Sequence, residues 1–216
     1  MLGMVIAIAF AILLNEVRIK IMKKTVQTIV YLPHFLSWVV LASVVTNMFG
    51  LDGSVNQVLA SLGLEKVNFL GNSRVFPSLI IGTDVWKEFG YSSVVYLAAI
   101  TSIDPGLHEA ATMDGASWWK RIWHVTLPGM LPIILLMTAT NLTSILSAGF
   151  DQIYNLYSPL VYETGDVLDT YVYRIGLVGR QYSFGAAVGL CRSIVGMVLL
   201  LSSNALTKKL TDQKIF

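Results

Sequence analysis

The sequence is short of charge and of cysteine. Asp, Glu, Lys and Arg make up 13% of the 216 residues, about half of the roughly 25% that is usual in soluble domains, and 55% of the residues are hydrophobic. The net charge of +2 is too small to favour nucleic acid as a partner. The only cysteine, Cys191, excludes an intrachain disulfide and a multi-cysteine metal site. This composition predicts a membrane protein without a metal or other cofactor of its own.

Signatures of common enzymes are also absent from the sequence. No Gly-x-x-x-x-Gly-Lys-Ser/Thr segment occurs, so we do not expect the chain to bind ATP through a phosphate-binding loop. His108-Glu109 begins like the zinc-protease motif His-Glu-x-x-His, but Thr112 stands where the second histidine is required. Residues 90–94, GYSSV, lack the closing glycine of a serine nucleophile elbow. We therefore predict no catalytic site.

Four apolar segments are long enough, or nearly so, to cross a bilayer, which takes about 20 residues: 25–49, 76–102, 131–150 and 184–206. Residues 1–14 are apolar but too few, and we interpret them as a partial span whose first part precedes residue 1. Pro33 should kink its span and free a backbone carbonyl that a neighbouring helix or lined cavity must satisfy. The pattern predicts an all-α polytopic transmembrane bundle, N-terminally truncated, with about five spans visible in a single domain, 1–216, and a connecting loop at 50–75.

The basic residues predict the orientation of these spans, because short loops rich in Lys and Arg stay in the cytoplasm. The opposite side of the membrane would carry Lys66, Arg74, Arg174 and Arg180. The C-terminus and residues 103–130 are therefore expected to be cytoplasmic, and 151–183 to be outside. The nine residues of the basic side are Arg18, Lys20, Lys23, Lys24, Lys120, Arg121, Lys208, Lys209 and Lys214.

Residues 103–130 are too polar to span a membrane and too patterned for a simple turn. Residues 107–113 favour a helix, and Asp114-Gly115 is a break at which glycine can adopt a positive φ angle. A second helical stretch, 116–126, leads to Leu127-Pro128 and places Trp119, Ile122 and Trp123 at helical spacing. This pattern predicts a short helix-turn-helix at the cytoplasmic membrane surface.

The spacing within this segment resembles the EAA loop of binding-protein-dependent ABC importer permeases. The pattern of that family is Glu-Ala-Ala, three residues, Gly, nine residues, usually Ile, one residue and Leu-Pro. Val125 replaces the usual Ile, and the rest of the spacing is kept. The resemblance implies a loop that docks in a groove of the ATPase subunit. Its coupling residues here would be Glu109, Ala110, Ala111, Asp114, Gly115, Val125, Leu127 and Pro128.

The resemblance extends over practically the whole chain. Segments 31–40, 84–100, 150–163 and 169–177 are similar to permeases that import polysaccharides and oligosaccharides. The broader sugar permeases often have Gly-Gly-Pro where this chain has residues 155–159, NLYSP, and this departure favours the polysaccharide branch.

The resemblance implies a permease subunit that forms half of a sugar pathway in the plasma membrane of a bacterium. The implied partners are a second permease, in a heterodimer, two ATP-binding cassette subunits that bind the ATP, an extracellular solute-binding lipoprotein, the sugar and membrane lipid. A self-contained secondary transporter or channel is the alternative, and it would work without a bound ATPase.

Ionisable residues within a span are costly against lipid, so they should face a neighbouring helix or a water-filled cavity. Lys87 could pair with the carboxylate of Asp84 or Glu88. Sugars are bound through hydrogen bonds and aromatic stacking, and Arg192 either reaches outward or pairs within the bundle. The candidates for the substrate pathway are Asp84, Trp86, Lys87, Glu88, Tyr91, Tyr96, Asn141 and Arg192.

Overall fold

The computed structural model describes the backbone of residues 1–143 and 149–211, and the side chains of residues 1–142 and 149–202. Helices account for the regular structure in these ranges, which contain no β-strand. The all-α prediction is therefore confirmed. The helices are α1 Leu2–Glu16, α2 Lys20–Tyr31, α3 Trp38–Phe49, α4 Ser54–Ser61, α5 Phe76–Thr101, α6 Pro105–Met113, α7 Trp118–Arg121, α8 Leu127–Thr143, α9 Phe150–Leu156, α10 Tyr162–Gly165, α11 Leu168–Val172 and α12 Tyr182–Thr211.

The helices pack within two compact units, a division that the sequence does not reveal. Unit 1 comprises Met1–Pro33, Glu88–Thr143 and Val198–Phe216. Unit 2 comprises His34–Lys87 and Ser144–Met197. The long helix α5 begins in unit 2 and ends in unit 1.

The core of unit 1 joins α1, α5 and α8. Ala7 and Ala11 of α1 are completely buried against Tyr96 and Ile100 of α5 and Met130 of α8. Small alanine side chains let the helix backbones approach closely. Tyr96 is therefore a packing residue of this core, and a place for it in the substrate pathway stays a prediction.

Helices α2 and α5 approach most closely at Gly90. A Cβ atom at this position would lie only 2.3 Å from the carbonyl oxygen of Val30. Only a residue without a side chain allows this approach, because the obstructing atom belongs to the backbone and cannot rotate away. The sequence shows a glycine here but not the helix against which it packs.

The core of unit 2 joins α3, α5 and α9. Ala42 and Val45 of α3 pack with Phe76 of α5 and Leu156 of α9. Gln152 of α9 is also buried, and its side-chain nitrogen donates hydrogen bonds to two oxygens of α5. Polar bonds therefore reinforce the apolar contact between α5 and α9.

The predicted span 25–49 is not one helix. Helix α2 ends at Tyr31, a 3-10 turn follows at Leu32–Phe35, and α3 begins at Trp38. Pro33 lacks the N–H group that an α-helix would use, and the hydroxyl of Ser37 accepts a hydrogen bond from the N–H of Val40, 3.4 Å away, as the N-cap of α3. Proline and N-cap together divide the segment, whereas the sequence predicted only a kink.

The predicted loop 50–75 contains the short helix α4, so it is more ordered than expected. Asn56 of α4 is completely buried. Its side chain donates to the carbonyl oxygens of Gly50 and Val67, at 2.9 and 2.8 Å, and accepts from the Val67 N–H at 2.8 Å. One asparagine therefore fixes both ends of this connection.

Among the residues that the structure describes, three helical stretches are long and apolar enough to cross a membrane: Trp38–Ser61, Trp118–Leu142 and Tyr182–Ser202. Helix α5 is 26 residues long and also has the length of a span, although Asp84, Lys87 and Glu88 interrupt it. Of the predicted span 131–150, residues 144–148 lie outside the described residues, as does Lys214 of the predicted basic side.

Candidate coupling segment and transport pathway

Helix α6 begins at a well-defined N-terminal cap. Pro105 is the first helical residue, and the side chain of Asp104 accepts a hydrogen bond of 2.9 Å from the N–H of Gly106. Proline suits the first position because the missing N–H has no partner there in any helix. Asp104 and Pro105 therefore fix where the first helix of residues 103–130, the EAA segment, starts.

The same helix ends in a Schellman motif at Gly115. The N–H of Ala116 donates to the carbonyl of Ala111 at 2.9 Å, and the N–H of Gly115 donates to Thr112 at 3.0 Å. Gly115 has a φ of +75°, the left-handed conformation predicted for it. A Cβ at Gly115 would meet no atom within 4 Å. Glycine is therefore favoured here by the positive φ angle and not by a lack of space.

The charged residues of α6 face outward. Glu109 and Asp114 are exposed, and in the described part of the chain their carboxylates make no hydrogen bond or ion pair. Met113 beside them is 88% exposed. An apolar side chain flanked by two free carboxylates forms a surface that a partner protein can contact without displacing any internal bond.

The second half of the EAA segment is continuous with the next span. Helix α7 leads through a π-helical turn, Ile122–Thr126, into α8 without a break at Leu127-Pro128. The predicted end of the helix at Leu127-Pro128 is therefore wrong. The wider π turn explains the continuity, because it relieves the clash of a proline ring with the preceding turn of the helix. Movement of α7 would be passed directly to α8.

The predicted apolar face of this second helix is divided in the structure. Trp119 and Trp123 are 65% and 64% exposed, whereas Ile122 is buried. Exposed tryptophans are typical of a membrane-water interface. Trp118 is half-buried and packs edge-on against Trp119, at 4.6 Å between ring centroids. The exposed pair is thus suited to anchor this helix in the membrane surface.

The remaining coupling candidates lie at the base of the segment. Val125 and Leu127 are half-buried, and Pro128 is exposed. The neighbouring Gly129 packs so closely on Ile103 that an added Cβ would lie 2.7 Å from that side chain. The two ends of the EAA segment are therefore held together inside unit 1.

Three of the pathway candidates share one face of α5. Asp84, Glu88 and Tyr91 are spaced by four and three residues, which places them on one side of a helix. Asp84 and Tyr91 are exposed and Glu88 is half-buried. Their expected place beside a neighbouring helix or a water-filled cavity stays a prediction.

Trp86 lies on a different face of α5 and lines an apolar cavity of about 560 Å³ in unit 2. The walls of the cavity also include Met48, Phe49 and Phe69. Such a lining offers few hydrogen bonds to a sugar. The role of Trp86 in a sugar pathway stays a prediction.

Lys87 occupies a buried position, with only 6% of its surface exposed. Its ammonium group donates a 2.8 Å hydrogen bond to the carbonyl oxygen of His34 and lies 5.7 Å from the ring centroid of Trp38. Lys87 thus supports the break between α2 and α3. A place in the substrate pathway stays a prediction for this residue.

Arg192 pairs within the protein, one of the two arrangements that the sequence allowed. Its guanidinium forms an ion pair with Asp169 of α11, and both side chains are mostly buried. The pair joins α11 to α12 inside unit 2. Asn141, near the end of α8, is exposed, and its place in the substrate pathway stays a prediction.

Sequence reasoning missed an aromatic and ionic cluster in residues 150–174. Phe150 stacks on Tyr154, whose ring lies 5.0 Å from that of Tyr173. Arg174 forms a 2.6 Å ion pair with Asp166. The hydrogen bond with Tyr173 is the main cause that raises the pKa of Tyr154. The spacing of tyrosines at 154, 157, 162, 171 and 173 was the available signal, although helical periodicity could not connect elements this short.

The chain matches a family of known transport proteins. Residues 3–212 match the family described as "Binding-protein-dependent transport system inner membrane component". The chain belongs to this family. The permease is therefore a transport subunit of the membrane, as its apolar helices also indicate.

One curated relative of the permease is the "Polygalacturonan/rhamnogalacturonan transport system permease protein YteP" of Bacillus subtilis (strain 168). The two are 41% identical over 212 residues, which are 98% of the permease and 66% of the relative. The permease thus spans slightly less than two thirds of the length of this relative.

Two solved structures are also similar to the permease. One is a bacterial ABC transporter involved in the import of the acidic polysaccharide alginate, at 42% identity and a TM-score of 0.94, with 97% of the permease and 73% of the other chain covered. The second is a bacterial alginate ABC transporter in complex with an alginate pentasaccharide-bound periplasmic protein, at 42% identity and a TM-score of 0.95. That match covers 98% of the permease and 74% of the other chain. The permease has the fold of an ABC importer permease.

Proposed function

We propose that the chain forms half of the transmembrane pathway of an ATP-driven importer for oligosaccharides that derive from an acidic polysaccharide. The family assignment supports transport through the membrane. The acidic sugar class is supported by similar proteins, which are named as transporters of polygalacturonan and rhamnogalacturonan or of alginate.

The EAA segment couples this pathway to the ATPase. The observation that carries the proposal is the geometry of α6: a short helix fixed at both ends by Asp104 and Gly115, with Glu109, Met113 and Asp114 exposed. The rest of the segment continues without a break into α8. A push on α6 by a moving partner is thereby transmitted to a helix of the membrane domain, since neither end of α6 can yield easily.

The partners follow from this function. The chain would pair with a second permease, bind two ATP-binding cassette subunits on the cytoplasmic side and receive sugar from an extracellular binding protein. The binding protein is supported by the second alginate transporter, which was solved in complex with a pentasaccharide-bound periplasmic protein. ATP is bound by the cassette subunits. The distribution of basic residues supports a cytoplasmic C-terminus, and the bacterial relatives support a bacterial source.

Co-purification of the ATPase with the tagged chain tests the coupling role. Gly115→Val should abolish retention of the ATPase, because a β-branched residue at a φ of +75° distorts the turn. Gly63→Val is the matched control: Gly63 has a φ of +76° and equally open surroundings, but lies outside the EAA segment. Gly115→Asn should keep most of the binding, since asparagine tolerates this conformation. Equal retention by the Gly115 and Gly63 valine variants would refute the docking role.

A charge reversal tests the contact surface itself. Glu109→Lys should weaken ATPase binding at least tenfold, whereas Glu65→Lys, an exposed residue of the connecting loop, should leave it unchanged. A double-mutant series with basic residues of the ATPase groove would then locate the partner of Glu109.

Uptake by proteoliposomes that contain the assembled transporter separates this function from the alternative. An ATP-driven importer takes up labelled oligogalacturonate only with ATP on the side of the cassette subunits, and a neutral disaccharide should be transported more slowly. Uptake that persists without ATP and collapses with an ionophore would establish a secondary transporter instead.

A further inference from the structure

Unit 1 contains a polar cavity beside α6, in contrast to the apolar cavity of unit 2. The cavity has a volume of about 220 Å³ and lies between the end of α1, the end of α5 and the EAA helices. This volume equals that of about seven water molecules in the liquid, enough for a phosphate ester with a small alcohol. The charged, amide and aromatic side chains that line the cavity are Asn15, Glu16, Arg18, His108, Trp118 and Arg121.

Positive charge outweighs negative charge in this lining. Arg18 and Arg121 each carry a full positive charge, and Glu16 is the single carboxylate among the lining residues. Neither arginine forms an ion pair with a carboxylate in the part of the chain that the structure describes. The cavity therefore holds two cations whose charge no internal partner neutralises.

One hydrogen bond holds the side chain of Arg121 in position, but another of its N–H donors has no partner among the described residues. Its Nη1 donates a 3.0 Å hydrogen bond to the hydroxyl of Thr112, while its Nε is buried and has no partner among the described residues. A buried donor without a partner is costly, and the guanidinium fork fits phosphate oxygens better than any other side chain does. The geometry thus favours an anionic oxygen ligand.

The location of the cavity narrows the choice of ligand. The apolar helix α1 ends at Glu16, and the exposed Trp119 and Trp123 lie on the helix that begins at Trp118. Both features are typical of the level at which lipid headgroups lie. Basic pockets at this level bind the headgroups of anionic lipids.

We propose that this cavity binds a phosphate ester group through Arg18, Arg121 and His108, with the headgroup of an anionic phospholipid as its source. Bound phosphate would link the end of α1 to the EAA helices. This site does not depend on the sugar or on the ATPase proposed above.

Native mass spectrometry of the assembled transporter, titrated with phosphatidylglycerol or with zwitterionic phosphatidylcholine, tests the proposal. The wild type should bind phosphatidylglycerol at least tenfold more tightly than phosphatidylcholine. The double variant Arg18→Gln with Arg121→Gln should bind phosphatidylglycerol about thirtyfold more weakly, from a loss of about fivefold for each basic residue. Equal affinities of the wild type for the two lipids would overturn a lipid source.

The matched control removes the same charge from the same two segments. Lys20→Gln with Lys120→Gln changes two exposed residues that do not line the cavity. This variant should lose less than threefold in its affinity for phosphatidylglycerol. If both double variants lose the same affinity for phosphatidylglycerol, the lipid is attracted to a basic surface in general and not to this cavity. That result would overturn the proposed site.

Two further variants keep the test decisive if the double arginine variant does not assemble. Glu16→Gln removes the one carboxylate and should tighten binding of phosphatidylglycerol several-fold, an effect that misfolding cannot produce. Arg18→Lys keeps the charge and should retain more binding than Arg18→Gln. Weaker or unchanged binding by Glu16→Gln would contradict the proposal.

Soluble glycerol phosphate distinguishes the two sources of a phosphate ester. If the lipid is the ligand, millimolar glycerol phosphate should displace phosphatidylglycerol only partly. If glycerol phosphate alone binds, with the same sensitivity to the arginine variant, the site holds a soluble phosphate ester. If neither compound binds in an arginine-dependent way, the cavity is not a phosphate site.

Discussion

The side-chain nitrogen of Lys87 lies 2.8 Å from the main-chain carbonyl oxygen of His34. His34 belongs to the 3-10 turn between α2 and α3, where the regular hydrogen bonds of an α-helix are interrupted. A lysine charge from α5 thus satisfies a backbone group that this interruption leaves free. Pro33 itself frees the carbonyl of the residue four positions earlier, Ile29, so the His34 carbonyl is a second backbone group at this break, one that the sequence did not predict.

Replacement of Lys87 by methionine should therefore destabilise unit 2. The variant keeps the apolar stem but leaves the His34 oxygen without its donor, at a cost of about 1–3 kcal/mol. The measurement is the melting temperature of the purified transporter in detergent. Lys66→Met serves as control, because its ion pair with Asp52 is exposed and contributes about 0–1 kcal/mol. Equal melting temperatures for the wild type and the Lys87 variant would show that the bond does not stabilise the turn.

Gln152→Leu should loosen the contact between α5 and α9. The side-chain nitrogen of Gln152 donates to the carbonyl of Ile80 and to the hydroxyl of Thr83, both at 2.8 Å. Leucine has a similar volume but no donor, so we expect a loss of about 1–2 kcal/mol in thermal or denaturant unfolding. Asn155→Leu on the exposed side of α9 is the control. If Asn155→Leu lowers the stability as much as Gln152→Leu does, the loss of any polar side chain on α9 has this effect. The buried hydrogen bonds of Gln152 would then have no special role.

Arg192 and Asp169 should behave as one energetic unit. Arg192→Met or Asp169→Asn alone removes one member of the ion pair, whereas the double variant removes both. We expect a coupling energy of about 0.5–3 kcal/mol from a double-mutant cycle of melting temperatures. If the effects of the two single substitutions add up to that of the double variant, the ion pair contributes no coupling energy.

Alkaline pH should destabilise the cluster around Tyr157. Burial, and next the neighbouring Tyr162, raise the pKa of Tyr157, while Arg174 partly opposes them. The folded state then holds the phenol proton more tightly than the unfolded state, so this stabilisation is complete below the unfolded pKa of about 10 and is lost as the pH rises through the folded pKa.

The melting temperature of the wild type should accordingly fall above about pH 10, and Tyr157→Phe should reduce that fall. Tyr182→Phe, at an exposed position on α12, should leave the pH profile of the wild type unchanged. A Tyr157→Phe profile that coincides with that of the wild type would assign the alkaline loss to other groups.

Several features could be predicted from the sequence because they depend on local chemistry. Hydrophobic length gave the helical class, and the left-handed turn at Gly115 is confirmed, since only a few neighbouring backbone bonds define it. The spacing of the EAA segment indicated the family that the comparisons then showed. The length of an apolar segment and the residues of a turn are properties of contiguous residues, so both can be read from the sequence.

Other features depended on contacts between distant parts of the chain. The buried place of Lys87, the partner of Arg192 and the core position of Tyr96 each require knowledge of which helix lies opposite. The same holds for the cavity between Arg18 and Arg121, which are about a hundred residues apart in sequence. Composition determined that this protein is helical and membrane-bound, while tertiary packing decided which polar groups are satisfied internally and which are left for a ligand or partner. The physical reason is that the energy of a buried charge depends on the atoms around it, and the chain brings those atoms together only on folding.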